Sequence, residues 1–265
     1  MFPTVKAAKS TALAALKNHW PLAIAAATIP LIFFVIITNL LSVFGYVLST
    51  SPFLAAVYSV FILLFVAVGF PLLLGTLRVL WSIETEQPLG IIEIFYYFSS
   101  LKEYKRAVTF IVLQLGSIVI KSVLLLLPSF IIDYISNSPS FLFGDAAMPL
   151  WVDSLWIFAL FLRIIAVVCI AYIALRYYLS PFLFVTLKDT DSFEIIATAK
   201  KVSRVSFGAF ITLLVSLIGW IVLSLFFAPL VFTAPYIIMC YLVHSRFAVV
   251  FYNSRKKKYD RGVGL

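Results

Sequence analysis

Apolar residues in this chain gather into six long runs, at residues 21–47, 53–82, 107–132, 151–184, 207–230 and 233–253. Each run approaches or exceeds the roughly 20 residues needed to cross about 30 Å of hydrocarbon at 1.5 Å per residue. The pattern predicts six transmembrane helices. Two runs are long for a bilayer, so those helices are expected to tilt or to continue past it. Pro30, Pro71, Pro128 and Pro181 should each kink or end a helix, because proline lacks the backbone donor and crowds the preceding turn.

Between the runs lie shorter stripes at helical spacing. Val5, Ala8, Ala12 and Leu16 recur opposite Lys6, Lys9 and Lys17, and Ile91, Ile94, Phe95, Phe98 and Leu101 form a second stripe. Phe193, Ile196, Ala199 and Val202 form a third, opposite Lys201 and Arg204. Such segments are expected to lie in the headgroup plane, apolar face down. Asp191 and Glu194 stand at capping-box spacing and mark the start of the third. The resulting expectation is an all-α integral membrane domain over residues 1–265. Three copies of a unit (interfacial helix, span, outer loop, span) would cover 3–83, 89–185 and 191–253.

Composition strengthens this picture. Of 265 residues, 63% are hydrophobic and only 12% charged, about half the charge that covers a soluble domain. The net charge of +9 would fit a nucleic-acid binder, but no basic face interleaved with aromatics is present. Instead the cations cluster at the ends of runs. Lys6, Lys9 and Lys17 precede the first, and Arg78, Lys102, Lys105 and Arg106 flank the second connection. Arg176, Lys188, Lys200, Lys201 and Arg204 flank the fourth, and Arg246, Arg255, Lys256, Lys257, Lys258 and Arg261 close the chain. The stretches 49–52, 133–149 and 232–235 hold neither Lys nor Arg. Cytoplasmic loops carry the positive excess, which predicts both termini in the cytoplasm. The first run is too long for a signal-peptide core of roughly 7–15 residues and reads as a retained span. Trp20, Trp81, Trp151 and Tyr252 fall at span ends, as interfacial aromatics do. Trp220 lies deep in span five beside Gly219, where a tight helix contact is expected.

Residues across most of the chain also carry a resemblance. Leu16-Lys17-Asn18-His19-Trp20-Pro21-Leu22-Ala23-Ile24 is one block, and Pro71-Leu72-Leu73-Leu74-Gly75 with Arg78, Glu84, Glu86, Phe95 and Phe98 is another. The third is Leu217-Ile218-Gly219-Trp220, followed by Ala234-Pro235-Tyr236 and Phe251-Tyr252. Taken in order, these resemble a bacterial membrane family filed as domain of unknown function nine-seven-five. Where that family often carries a Met-Lys-Gly turn, this chain reads Ser203-Arg204-Val205. The resemblance implies a six-helix bacterial membrane domain and supplies no chemistry.

No zinc-protease, nucleophile-elbow, phosphate-loop or dinucleotide signature occurs in the sequence, and neither enzyme nor cofactor is expected. Cys169 and Cys240 lie in separate runs without ligand spacing and read as small apolar residues. The pairs Glu84/Glu86 and Asp189/Asp191, like His19 and His244, sit toward the cytoplasmic side, where capping accounts for the carboxylates. Asp133, Asp145 and Asp153, with Asn137, Ser138 and Pro139, fall in or beside the longest outer loop. That loop is expected to be solvated, with a cation or basic peptide as the alternative.

Lys121 and Arg163 stand apart as cations far from the ends of their spans. Each costs roughly 2.5–3.5 kcal/mol on insertion scales, which makes it a candidate for function. Both are expected about 16–18 Å below the outer end of adjacent antiparallel helices. Gln114, Ser117 and Lys121 share one face, and Ala159 and Ala166 flank Arg163. No carboxylate is expected near either cation, so an anionic ligand would satisfy both, with snorkelling as the plain alternative. Arg246 groups with the basic tail, where Arg255, Lys256, Lys257 and Lys258 could hold lipid headgroups or simply fix topology. The leading expectation is a module that binds or moves an anionic or amphipathic ligand such as a lipid. A scaffold that remodels the bilayer or docks a partner is the alternative, and an intramembrane lipid enzyme comes last. Anionic membrane lipids are the expected partners, with no nucleic acid.

Overall fold

The computed structural model describes residues 4–48, 52–87, 89–137 and 155–262, and every regular element among them is helical. In chain order these are α1 (Val5–Leu16), α2 (Trp20–Leu48), α3 (Pro52–Glu84), a 3-10 helix (Ile91–Phe98), α4 (Leu101–Asn137), α5 (Leu155–Arg176), α6 (Ser180–Thr186), α7 (Ser192–Leu223) and α8 (Phe227–Gly262). Six of them contain stretches long and apolar enough to cross a membrane. The chain is an all-α, multi-pass membrane protein.

Local chemistry sets the helix ends. Thr4 caps α1 by accepting from the Ala7 N–H, Ser100 accepts from Glu103 at the start of α4, and Asp191 caps α7 by accepting from Phe193. The Asp191 start signal is therefore where the sequence places it. At the end of α3, the Gln87 N–H reaches the Ser82 carbonyl and the Glu86 N–H reaches Ile83, with Glu86 at φ 59°. This is a Schellman stop, and Glu86 serves it as a backbone position.

Prolines act less uniformly than expected. Helices run through Pro30, Pro71, Pro128 and Pro235, whereas Pro181 opens α6 after a break at Tyr177–Leu179. Span four is accordingly α5 plus the short α6. The last connection is also displaced from 232–235 to residues 224–226, because Ser224 caps α7 and α8 already begins at Phe227.

The chain divides into two compact units, Met1–Phe110 with Leu179–Leu265, and Ile111–Tyr178. In the first, Ala26, Leu72, Val79 and Ile94 form a core flanked by Leu22, Ile29, Phe33 and Val68. The small residues Ala23, Ala26 and Ala27 on α2 are buried, which lets helix backbones approach closely. The Thr76 hydroxyl on α3 donates to the carbonyls of Ala26 and Leu72, each at 3.1 Å. Aromatic pairs lock α6 into the same unit: Phe182 meets Trp81 edge-on, and Phe184 stacks on Phe110 at 4.4 Å.

The three amphipathic segments depart from expectation in form. The first is a separate α-helix, the second is a 3-10 helix, and the third is the first half of α7, continuous with its span. Part of each apolar face packs into protein, since Ala8, Ala12 and Leu16, Ile94 and Tyr97, and Ile196, Ala199 and Val202 are buried, whereas Phe95, Phe98, Leu101 and Phe193 are exposed. Charge and stripe alone could not distinguish lipid from neighbouring helices as the cover. Of the expected contact at Gly219 and Trp220, only the tryptophan takes part. The indole rests against Tyr236, with ring centroids 5.1 Å apart, and a Cβ added at Gly219 would meet nothing within 4 Å among the described residues.

Candidate functional site

Within the second unit, Lys121 stands on α4 about 30 Å from its first residue and about 24 Å from its last, at 1.5 Å per residue. Its ammonium donates to the Tyr177 hydroxyl at 2.6 Å and to Ser117 Oγ at 3.3 Å. The two hydroxyls are themselves 2.7 Å apart, and the ammonium lies 5.0 Å from the Tyr177 ring centre. Helical spacing puts Ser117 one turn below Lys121, and Tyr177 arrives from the turn that follows α5. No ion pair among the described residues includes Lys121. An ammonium has three protons to donate; two go to these hydroxyls, and among the described residues its charge is met by dipoles and the tyrosine face.

Arg163 has a different environment. It pairs with Asp133, and its guanidinium lies 5.4 Å from the Phe130 ring. Asp133 belongs to α4, which continues to Asn137, so the expectation of a loop aspartate and an unneutralised Arg163 is overturned. The two cations also lie at different levels. Asp133 is about 12 residues beyond Lys121, roughly 18 Å along α4, and Arg163 is drawn to it there. Lys121 with Tyr177 and Asp133 with Arg163 are two rungs of one antiparallel hairpin. A small anion cannot bridge them. Gln114 is half-buried and makes no hydrogen bond to the Lys121 cluster among the described residues. Ala159 and Ala166 are buried, as small residues beside Arg163 should be. An apolar groove of about 370 Å³ runs along α4, lined by Val123, Leu126, Leu127, Phe130, Ile131 and Tyr134.

The first unit holds its own set of ion pairs. Arg78 Nε lies 3.3 Å from Glu93 Oε2, with its guanidinium 3.6 Å over the Tyr96 ring. Arg106 pairs with Glu103, donates to the Leu187 carbonyl at the end of α6, and lies over Phe184. Arg246 on α8 pairs with Glu84 and therefore does not simply extend the basic tail. The Glu84 side chain is 1% exposed and that of Arg246 is 49% exposed. Arg78 and Arg106, read from sequence as orientation charges, thus also tie the 3-10 helix, α4 and α6 to their neighbours.

Several expectations resolve simply. Both thiols are free, with Cys240 buried and Cys169 partly so. His244 is buried against Phe210, with ring centres 5.7 Å apart, and His19 lies in the turn between α1 and α2. Arg255 and Lys256 are exposed on α8, with Arg255 over the Phe251 ring. Lys257 and Lys258 continue the helix, but their side chains are outside the described residues, as are Arg261's side chain, Asp145, Trp151 and Asp153.

Two residues escaped the sequence reading: Tyr177, which holds Lys121, and Asp133, which neutralises Arg163. Residues facing each other across an antiparallel hairpin have position numbers of nearly constant sum. Both pairs obey that rule, but applying it needs the hairpin register, which the stretch 138–154 conceals. Comparisons with family models, with curated proteins and with solved structures found no match to this chain.

Proposed function

We propose that this chain is a non-enzymatic membrane module that binds an anionic amphipathic ligand, such as a lipid, and holds or moves it within the bilayer. The ligand's anionic group is received at Lys121, with Ser117 and Tyr177 orienting the ammonium. One observation carries this reading: a lysine deep in an apolar helix with hydroxyl partners and no carboxylate partner among the described ion pairs. A charge there costs several kcal/mol in hydrocarbon unless something compensates it. Snorkelling explains it less well, because the amine is drawn onto the Tyr177 hydroxyl.

Arg163 has its own carboxylate and drops to a structural role, and Gln114 with it leaves the ligand set. The setting proposed is the cytoplasmic membrane of a bacterium, with both termini inside. The cation distribution supports that orientation, and Arg255 to Lys258 would meet anionic headgroups there. The family resemblance fits the same setting.

The test is a lipid-binding titration of purified protein in detergent, with phosphatidylglycerol against phosphatidylcholine. Wild type should favour the anionic lipid. Lys121→Met should lose that preference, and Lys121→Arg should keep most of it. Equal binding of the two lipids by folded wild type would remove the proposal.

A further inference from the structure

The 3-10 helix turns once every three residues, so side chains three apart lie above one another. Over Ile91–Phe98 this sorts the sequence into three faces. Ile91, Ile94 and Tyr97 form one, and beyond the exposed Ile91 at its start it is buried against the first unit's core. Glu93 and Tyr96 form the second, and both engage Arg78. Ile92, Phe95 and Phe98 form the third, which is exposed; Ile92 is 81% accessible, and Leu101, three residues past Phe98, is 69% accessible. The first two faces fix the helix so that the third must point away from the first unit.

We infer that the ridge Ile92–Phe95–Phe98–Leu101 is seated in the inner leaflet of the membrane, with Lys102 and Lys105 on anionic phospholipid headgroups beside it. Three observations favour lipid as the occupant. The ridge lies between two candidate spans and ends at the residue that opens the second, Leu101. Lys102 and Lys105 are exposed and enter no ion pair among the described residues, which matches the charge pattern of an interfacial segment. The ridge also offers only about 400 Å² of apolar surface, half of the ~800 Å² that each partner of a standard protein interface buries. This inference stands independently of Lys121.

The test places nitroxide labels at Ile92→Cys and Phe95→Cys in a Cys169→Ala, Cys240→Ala background, reconstituted in phosphatidylcholine vesicles containing phosphatidylglycerol. Labels at Val119→Cys and Lys188→Cys give the lipid and water references. Oxygen should reach the ridge labels several-fold more effectively than a water-soluble nickel chelate, as it does at Val119→Cys. Wild-type protein in vesicles carrying a diazirine phospholipid supplies a second measurement that needs no substitution, with crosslinks expected on the peptide holding residues 92–101. Nickel accessibility equal to that at Lys188→Cys, or a wild-type peptide free of lipid adducts, would overturn the inference and leave the ridge to a soluble partner.

Discussion

Replacing Gly75 with alanine tests how closely the 3-10 helix is seated. Glycine in a helix interior ordinarily gives up about 0.8–1 kcal/mol relative to alanine, so Gly75→Ala ought to stabilise α3. A Cβ at this position would, however, fall 1.9 Å from the Ile94 carbonyl oxygen, 2.6 Å from its carbon and 2.9 Å from its Cα. Those are backbone atoms and cannot rotate aside. The 3-10 helix must retreat by about 1.5 Å to restore ordinary contact, and Ile94 and Tyr97 are partly withdrawn from positions where they are fully buried. Overpacking of this kind costs about 1–3 kcal/mol, which cancels the helix gain and leaves a net loss of up to about 2 kcal/mol. For a chain of this size that lowers the melting temperature by up to about 8 °C, readable by intrinsic fluorescence in detergent. Gly116→Ala, Gly208→Ala and Gly219→Ala are the controls, since a Cβ there meets nothing within 4 Å; they should leave the midpoint unchanged or raise it. A rise for Gly75→Ala matching the controls would refute the close approach.

Other outcomes follow from the ion pairs and from burial. A double-mutant cycle of Asp133→Asn with Arg163→Gln should give a coupling energy of about 1–3 kcal/mol, whereas Asp133→Asn with Lys121→Met should be additive; strong coupling in the second cycle would place the cations at one level after all. Arg246→Met should destabilise more than Glu84→Gln, because it strands a carboxylate in a buried site, while the half-exposed arginine can turn to water. Equal losses in thermal melts would contradict that asymmetry. Burial, more than any neighbouring charge, pushes the Tyr97 phenol above its ordinary range. Its contribution is fully present below the unfolded value near pH 10 and is lost as pH rises through the higher folded value. Tyr97→Phe should therefore unfold at higher pH than wild type in an alkaline titration followed by circular dichroism.

Much of this architecture was legible in the chain because span length answers to the bilayer, whose thickness is fixed. The start of α7 at Asp191 and the break before Pro181 were legible for a similar reason, since capping and proline act within a few residues. What escaped depended on partners distant in sequence. Nothing local to Ile91–Phe98 distinguishes a surface-lying α-helix from a 3-10 helix held by Arg78 and admitted by Gly75. Likewise Lys121 and Arg163 look equivalent along the chain, and only the hairpin register gives one a carboxylate and the other hydroxyls. In the block Pro71 to Gly75 with Arg78, the residues Leu72, Gly75 and Arg78 seat the 3-10 helix, although their spacing carries no hint of that role.

Native mass spectrometry with lipid analysis of the purified protein tests the central claim most directly, with wild type, Lys121→Met and Arg163→Met examined side by side. An anionic species should be held by wild type and by folded Arg163→Met, and be missing from folded Lys121→Met. Identical spectra for wild type and Lys121→Met, or loss of the ligand only with Arg163→Met, would contradict it.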